Sequence, residues 1–258
     1  MDTNSTEPAH RTVLIVSEHR RGHGSGHLYR CSRLARELPG TIDWLLPEQG
    51  GVETRGREEV QHMVGISDLP VRWVNQPEGP YDLVILDQRT TTVHQLQTLN
   101  CRGIVIGIDV GGEARRYVHY AIDTLEPPPG VGCANITDTG LLHLPEHIRD
   151  DWVSQIRSVL VVFGGEGKDD EAISRAQAIA SSGEWAVTVV THDDREVPAE
   201  LSVLRTRGDL PNELHRFDAV VTHFGLTAYE ATWAHVPVIL LNPTAYHERL
   251  ARNAGFIT

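Results

Sequence analysis

The stretch TVLIVSEHRRGHGSGHLYRCSRLAREL, residues 12–38, decides the fold. Residues 12–18 are mostly β-branched and apolar, which is typical of a buried strand. Residues 27–38 place apolar side chains at helical spacing and end before Pro39 and Gly40. A glycine-rich segment joins the two. A strand, a glycine turn and a helix in this order predict the first βα unit of a parallel sheet.

The same alternation continues outward along the chain and predicts about six strands in each half. The further strand candidates are 41–46, 71–75, 83–87, 104–109 and 120–125, then 158–165, 185–191, 201–206, 218–223, 237–242 and 255–258. The prolines of EPPPGVG (126–132) predict a loop. We therefore predict an α/β protein with two Rossmann-like, doubly wound lobes, residues 1–150 and 151–258, of which residues 1–10 form a flexible arm.

Net charge and composition argue against some classes of binding partner. The net charge of −12 repels nucleic acid and anionic membranes. No apolar run is long enough to cross a bilayer, and the polar start MDTNSTEPAHR lacks the order of a signal peptide. Three widely spaced cysteines suit free thiols in a reducing compartment. We expect a cytoplasmic protein that binds neither nucleic acid nor membrane.

The first candidate site is the glycine turn itself. Backbone N–H groups at a helix start favour an anionic ligand, and Gly24, Ser25 and Gly26 let a ligand approach the backbone. His27 stands where the turn meets the helix and is a candidate general base, although a capping or core histidine fits the pattern equally well. Arg30 is either an anion clamp or a solvated helix residue.

Two strand-end carboxylates accompany this turn. Asp87 and Asp109 each follow an apolar strand, so both are expected at the carboxyl edge of the sheet, where ligands bind. Either could orient a histidine or hold loop amides. The histidines show no convincing metal spacing, because the proline of HLPEH (143–147) disrupts a helical pair. No metal is predicted.

The second half repeats the strand–turn–helix pattern twice. VLVVFGGEGKDDEAISRA (159–176) places Gly164 and Gly165 in a turn that either lines a diphosphate or is an ordinary βα connection. It is not a Walker A loop, because Asp169 follows Lys168. AVVTHFGLTAYEATWAHVPVILLN (219–242) resembles the strand and helix start of GT-B nucleotide-sugar enzymes. Thr227 and Glu230 there match either a capping box or the phosphate and ribose contacts that this resemblance implies.

A family resemblance rests on these motifs. GSGHLYRCSRLAREL resembles the GxGHxxRCxxLAxxL signature of the hydrolases that act on UDP-2,4-diacetamido-2,4,6-trideoxy-β-L-altropyranose in pseudaminic acid biosynthesis. The wider similarity is to MurG-like enzymes of the GT-B fold. It implies a GT-B-like pair of lobes with an interdomain cleft and a catalytic role for His27, to which the strand-end position of Asp87 adds a second catalytic candidate. The substrate-binding residues it implies are Gly225, Leu226, Thr227 and Glu230. The glycine turns and the position of Arg30 add the further candidates Gly24, Ser25, Gly26, Arg30, Gly164 and Gly165.

The reaction expected from the resemblance is hydrolysis of a UDP-sugar at its C1–O bond, in polysaccharide or nonulosonic acid biosynthesis. His27 would activate water, and the diphosphate would leave from the Gly225–Thr227 backbone without a metal or cofactor. Two alternatives remain: transfer of the sugar to an acceptor hydroxyl, and binding of a nucleotide-sugar without catalysis.

Overall fold

The computed structural model describes residues 11–20, 26–47, 51, 53–65, 71–99, 103–124, 132–138, 144–164, 168–191, 196–205 and 209–257. The chain divides into two compact units. The first contains most of the chain up to Leu141, and the second most of the chain from Leu142 onward. The predicted boundary near residue 150 stays a prediction, and the predicted arm at residues 1–10 lies outside the described residues.

The first unit contains a parallel sheet of seven described strands, in the order β3-β2-β1-β4-β5-β6-β7. These are β1 (Thr12–Ser17), β2 (Thr41–Leu45), β3 (Val71–Val74), β4 (Leu83–Asp87), β5 (Ile104–Ile108), β6 (Tyr120–Asp123) and β7 (Ile136–Thr137). The central strand β1 is buried from Val13 to Ser17. A strand that is covered on both faces needs such a continuous apolar run, which explains why its sequence shows no polar alternation.

Three described helices accompany this sheet: α1 (Gly26–Glu37), α2 (Arg57–Met63) and α3 (Val93–Thr98). Helix α1 buries Leu28, Cys31 and Ala35, which recur at helical spacing. Helix α3 begins with a capping box, in which Thr92 and Gln95 satisfy each other's backbone N–H groups. A 3₁₀ turn at Glu113–Tyr117 precedes β6.

The second unit contains a parallel sheet of five described strands, in the order β10-β9-β8-β11-β12. These are β8 (Ser158–Val162), β9 (Ala186–Val190), β10 (Ser202–Leu204), β11 (Ala219–Thr222) and β12 (Val238–Leu240). Its helices are α4 (Asp169–Ser182), α5 (Leu210–Glu213), α6 (Leu226–Trp233) and α7 (Ala245–Asn253). One core packs around Phe163, Ala172 and Val189, and another around Leu160, Leu214 and Ala231.

The end of the chain differs from the sequence prediction. Residues 255–258 were expected to form a last strand, but the described residues 255–257 follow helix α7 and pair with no strand. The Thr244 side chain caps α7 by accepting from the N–H of His247, and Gly255 ends it with a φ of +85°. The N–H of Phe256 then donates to the carbonyl of Ala251, so these residues close a helix.

The predicted α/β class with two parallel sheets is confirmed, whereas the expected even division of strands is wrong. Seven strands are described in the first sheet and five in the second. The short β7 was not anticipated from the sequence. Among the described residues, no helix has both the length and the apolar character that spanning a bilayer requires.

Candidate functional site

The first sheet reverses its strand order next to β1. Strands β2 and β3 lie on one side of β1, and β4 to β7 lie on the other. Parallel sheets bind ligands at the carboxyl edge where this reversal occurs. Helix α1 begins after β1 with Gly26 and His27, and Asp87 is the last residue of β4. The topology therefore brings a helix start and a strand-end carboxylate to the same edge.

His27 and Asp87 are in direct contact there. Nδ1 of His27 makes a short hydrogen bond to Oδ1 of Asp87, and both side chains are buried. Within the described residues, no group forms a hydrogen bond with the other ring nitrogen of His27, Nε2. An imidazole that is held through Nδ1 by a carboxylate can receive a proton from water or a hydroxyl at Nε2. The arrangement is that of a general base with its orienting carboxylate.

Arg30 binds the same carboxylate. Its Nε lies 2.8 Å from Oδ2 of Asp87, and its Nη2 lies 2.8 Å from Oδ1. Burial alone would raise the pKa of Asp87, but the Arg30 charge and the hydrogen bonds from His27 and Arg30 hold that pKa well below its usual range. Asp87 is therefore an ionised carboxylate in the folded protein.

The remaining guanidinium contacts extend to the next strands. Nη1 of Arg30 donates to Oγ1 of Thr124 at 2.9 Å, and Nη2 lies 2.9 Å from Oδ2 of Asp109. Asp109 in turn accepts from the N–H and the hydroxyl of Thr124, at 2.6 Å each. These contacts engage Nε, Nη1 and Nη2 of Arg30, and its predicted contact with an anionic substrate stays a prediction.

The second sheet has its own reversal between β8 and β11. Gly164 follows β8, and Gly225 stands at the N-cap of α6, which follows β11. A Cβ placed on either glycine would meet no atom of the described residues within 4 Å, apart from those of its chain neighbours. Leu226 and Thr227 begin α6 and are half-buried. Their N–H groups belong to the first helical turn, which attracts anions.

The capping-box interpretation of Thr227 and Glu230 is wrong. The N-cap of α6 is Gly225, so Thr227 is the second residue of the helix and not its N-cap. Glu230 is buried, and burial raises its pKa to about 8, although a hydrogen bond with the Thr227 side chain acts in the opposite direction. Burial therefore disfavours the charged form of this carboxyl group.

His223 was missed by the sequence analysis. It follows β11, stacks on Phe163 with ring centroids 4.2 Å apart, and its buried Nε2 has no hydrogen-bond partner within the described part of the chain. Burial lowers the pKa of His223, against the charge of Glu171, whose Oε1 lies 3.8 Å from Nε2. The signal in the sequence was a polar residue directly after an apolar strand and two residues before the glycine of the next turn.

The structure thus groups the predicted residues in two sets. His27, Arg30 and Asp87 meet at the first sheet, whereas Gly164, Gly225 and the start of α6 lie at the carboxyl edge of the second. The predicted contacts at Gly24, Ser25 and Gly165 lie outside the described residues. No cluster of three or more His, Cys, Asp or Glu side chains suited to a metal ion occurs in the parts of the chain that are described.

Solved structures resemble this fold. The calicheamicin glycosyltransferase CalG4 matches with a TM-score of 0.58 at 14% identity, over 96% of this chain and 84% of that one. MurG of Acinetobacter baumannii matches at 0.54 and 13%, over 95% and 83%. The spinosyn rhamnosyltransferase SpnG, complexed with thymidine diphosphate, matches at 0.54 and 12%, over 95% and 84%.

These similarities establish the fold and confirm the GT-B-like prediction. The sequence matches no protein-family model and no curated protein. Because fold does not determine reaction, the chemistry has to be argued from the residues of the site.

Proposed function

We propose that this protein is a glycosyltransferase that moves a sugar from a nucleoside diphosphate to an acceptor hydroxyl. The observation that carries this proposal is the buried His27–Asp87 pair at the strand reversal of a GT-B-like sheet. The fold is shared with CalG4 and SpnG, which are named as glycosyltransferases. The sequence alone favoured hydrolysis, and the comparisons support transfer better.

His27 is the base in this reaction. It takes the acceptor hydroxyl proton at Nε2 while the acceptor oxygen forms a bond to C1 of the sugar. The C1–O bond to the diphosphate breaks, and its electron pair leaves with the nucleoside diphosphate. The Asp87 carboxylate stabilises the imidazolium that forms. The charge of the leaving group grows in the transition state, so fixed N–H groups at the phosphates accelerate the step.

The second unit supplies the nucleotide contacts in this proposal. The first N–H groups of α6, at Gly225 to Thr227, bind the diphosphate, and Glu230 binds the ribose hydroxyls. The burial of Glu230 supports this role, since hydroxyl donors from a ribose would stabilise the ionised form of Glu230 that burial disfavours. We add His223 to this set, because its buried Nε2 can donate to a phosphate oxygen.

Hydrolysis is the second candidate, and one specific observation favours it. His27, Arg30 and Cys31 of the hydrolase-like signature all contact Asp87, so the residues that carry the resemblance form one functional group. Water would then replace the acceptor at Nε2. The sugar, the use of UDP rather than another nucleotide, and a place in nonulosonic acid or polysaccharide biosynthesis remain predictions, as does a cytoplasmic location.

The experiment is a panel of UDP- and dTDP-sugars incubated with the protein, in which release of the nucleoside diphosphate is followed with and without candidate acceptors. Release that depends on an acceptor supports transfer, and release without one supports hydrolysis. A thermal-shift series with the nucleoside diphosphates alone measures binding separately. Binding without any release would leave only the non-catalytic alternative.

A further inference from the structure

One face of helix α1 is directed at a single carboxylate. His27, Arg30 and Cys31 occupy positions i, i+3 and i+4, which lie on the same side of a helix. All three contact Asp87, with Sγ of Cys31 lying 3.7 Å from Oδ2. Oδ1 of Asp87 is hydrogen-bonded both to Nδ1 of His27 and to Nη2 of Arg30. The state of Arg30 therefore affects the bond that orients the histidine.

Arg30 determines which atom holds the proton in that bond. A guanidinium has donors only and keeps its charge in proteins. It occupies both oxygens of Asp87 with N–H groups, so Asp87 is an acceptor and carries no proton. The hydrogen between His27 and Asp87 must then belong to Nδ1 of His27. In the neutral imidazole, Nε2 is left with the lone pair that a base requires.

Asp109 keeps Arg30 in this position. Its Oδ2 lies 2.9 Å from Nη2 of Arg30, and its two oxygens accept from the N–H and hydroxyl of Thr124. The backbone of Asp109 has a φ of +49°, a left-handed conformation that is costly for a residue with a Cβ. The neighbouring contacts with Thr124 and Arg30 compensate for this conformation by fixing the side chain between two strands and α1.

We propose that Arg30, held by Asp109, is the positioning residue that fixes His27 in its Nδ1–H tautomer. The catalytic consequence rests on the proposed function, because only a base needs its lone pair at Nε2. The tautomer itself does not depend on any activity. This assigns a role to the spacing of His27, Arg30 and Cys31 in α1 that the proposed reaction alone does not explain.

The test is a long-range ¹H–¹⁵N correlation spectrum of the full chain labelled with ¹⁵N-histidine, recorded at alkaline pH. The chain contains 14 histidines, so the His27→Gln spectrum identifies the His27 signals by their loss. The expected result is a protonated Nδ1 and an imine-type Nε2. A wild-type spectrum that shows the Nε2–H tautomer at His27 would overturn the proposal.

Three variants test whether Arg30 and Asp109 determine the tautomer of His27. Arg30→Met should convert His27 to a mixture of tautomers, because Asp87 can then carry a proton. Arg30→Lys should largely preserve the Nδ1–H form, since an ammonium group is also a donor only. Asp109→Asn should cause a smaller shift toward the mixture. Because Asp109 is partly exposed, this last variant carries the test if Arg30→Met does not fold.

The matched control is Asp123→Asn, which breaks another buried pair in the same sheet. Arg115 donates to both oxygens of Asp123, at 2.8 and 2.7 Å. This variant should lose stability and leave the His27 tautomer unchanged. Arg30 and Asp109 variants with wild-type His27 signals would overturn the positioning role. Correct tautomers without release of nucleoside diphosphate from any sugar would overturn the proposed function alone.

Discussion

Arg30 donates to both carboxylate oxygens of Asp87, at 2.8 Å each, and both side chains are buried. Replacing Asp87 leaves the buried Arg30 guanidinium with only the partly exposed Asp109 as its counter-ion. We expect Asp87→Asn to lower the free energy of unfolding by about 3–5 kcal/mol, measured by urea denaturation. Asp82→Asn is the control: Asp82 is exposed and accepts from the backbone N–H of Thr12, so its loss should cost much less. Equal losses for the two variants would contradict the assigned burial of Asp87.

The same pair makes the free energy of unfolding depend on pH in the acidic range. The pKa of Asp87 is well below its usual range in the folded protein, whereas the unfolded chain has an ordinary value of about 3.9. The unfolded state therefore binds more protons at low pH. The contribution of Asp87 is fully present above pH ~4 and decreases as pH falls toward the folded pKa. Urea midpoints between pH 2 and 6 should fall more steeply for wild type than for Asp87→Asn. Parallel curves would show that Asp87 is not the titrating group.

Glu230 makes the free energy of unfolding depend on pH in the opposite direction. Burial raises its pKa to about 8, so between about pH 4 and 8 the unfolded chain loses a proton that the folded protein keeps. The free energy of unfolding then decreases as pH rises. Glu230→Gln should be more stable than wild type at pH 8, by about 4 kcal/mol, and equal to it below pH 4. The exposed Glu184→Gln should show no such difference.

Gly225 separates ligand binding from folding. Its φ of 167° is accessible to any residue, and a Cβ would point into open space, so Gly225→Ala should change apo stability by less than ~1 kcal/mol. If its backbone contacts the diphosphate, the added methyl group should weaken UDP or dTDP binding at least tenfold, or about 1.4 kcal/mol. Calorimetric titration measures this, with Gly79→Ala as the control because its Cβ also meets open space. Unchanged affinity would remove Gly225 from the site.

Local pattern predicted the sheets well because a buried parallel strand needs an apolar run, as in Val13 to Val16. It failed at Phe256, whose apolar neighbours suggested a strand. That ring instead packs edge-on against Phe224 and Tyr229, with centroids 5.8 and 5.5 Å away. A strand needs a neighbouring strand to pair with. The local sequence does not show that Phe256 packs against Phe224 and Tyr229 instead.

The candidate site shows the same limit. His27 and Asp87 could both be identified from the sequence. His27 lies at the start of the helix that follows β1, and Asp87 ends β4. The contact of Arg30 with Asp87 joins residues 57 positions apart and depends on the pairing of β1 with β4. No local pattern encodes that register. Arg30 was therefore interpreted as either an anion clamp or a solvated helix residue, whereas the structure buries it and pairs it with Asp87 and Asp109.

The most direct measurement of the central claim is the rate of nucleoside diphosphate release by wild type, His27→Gln and His62→Gln from the best nucleotide-sugar of the panel. Loss of a general base costs about 10²–10⁴-fold in rate. The account predicts a decrease of that size for His27→Gln, with nucleotide affinity retained, and no decrease for the exposed His62→Gln. Release by His27→Gln at the wild-type rate would contradict it.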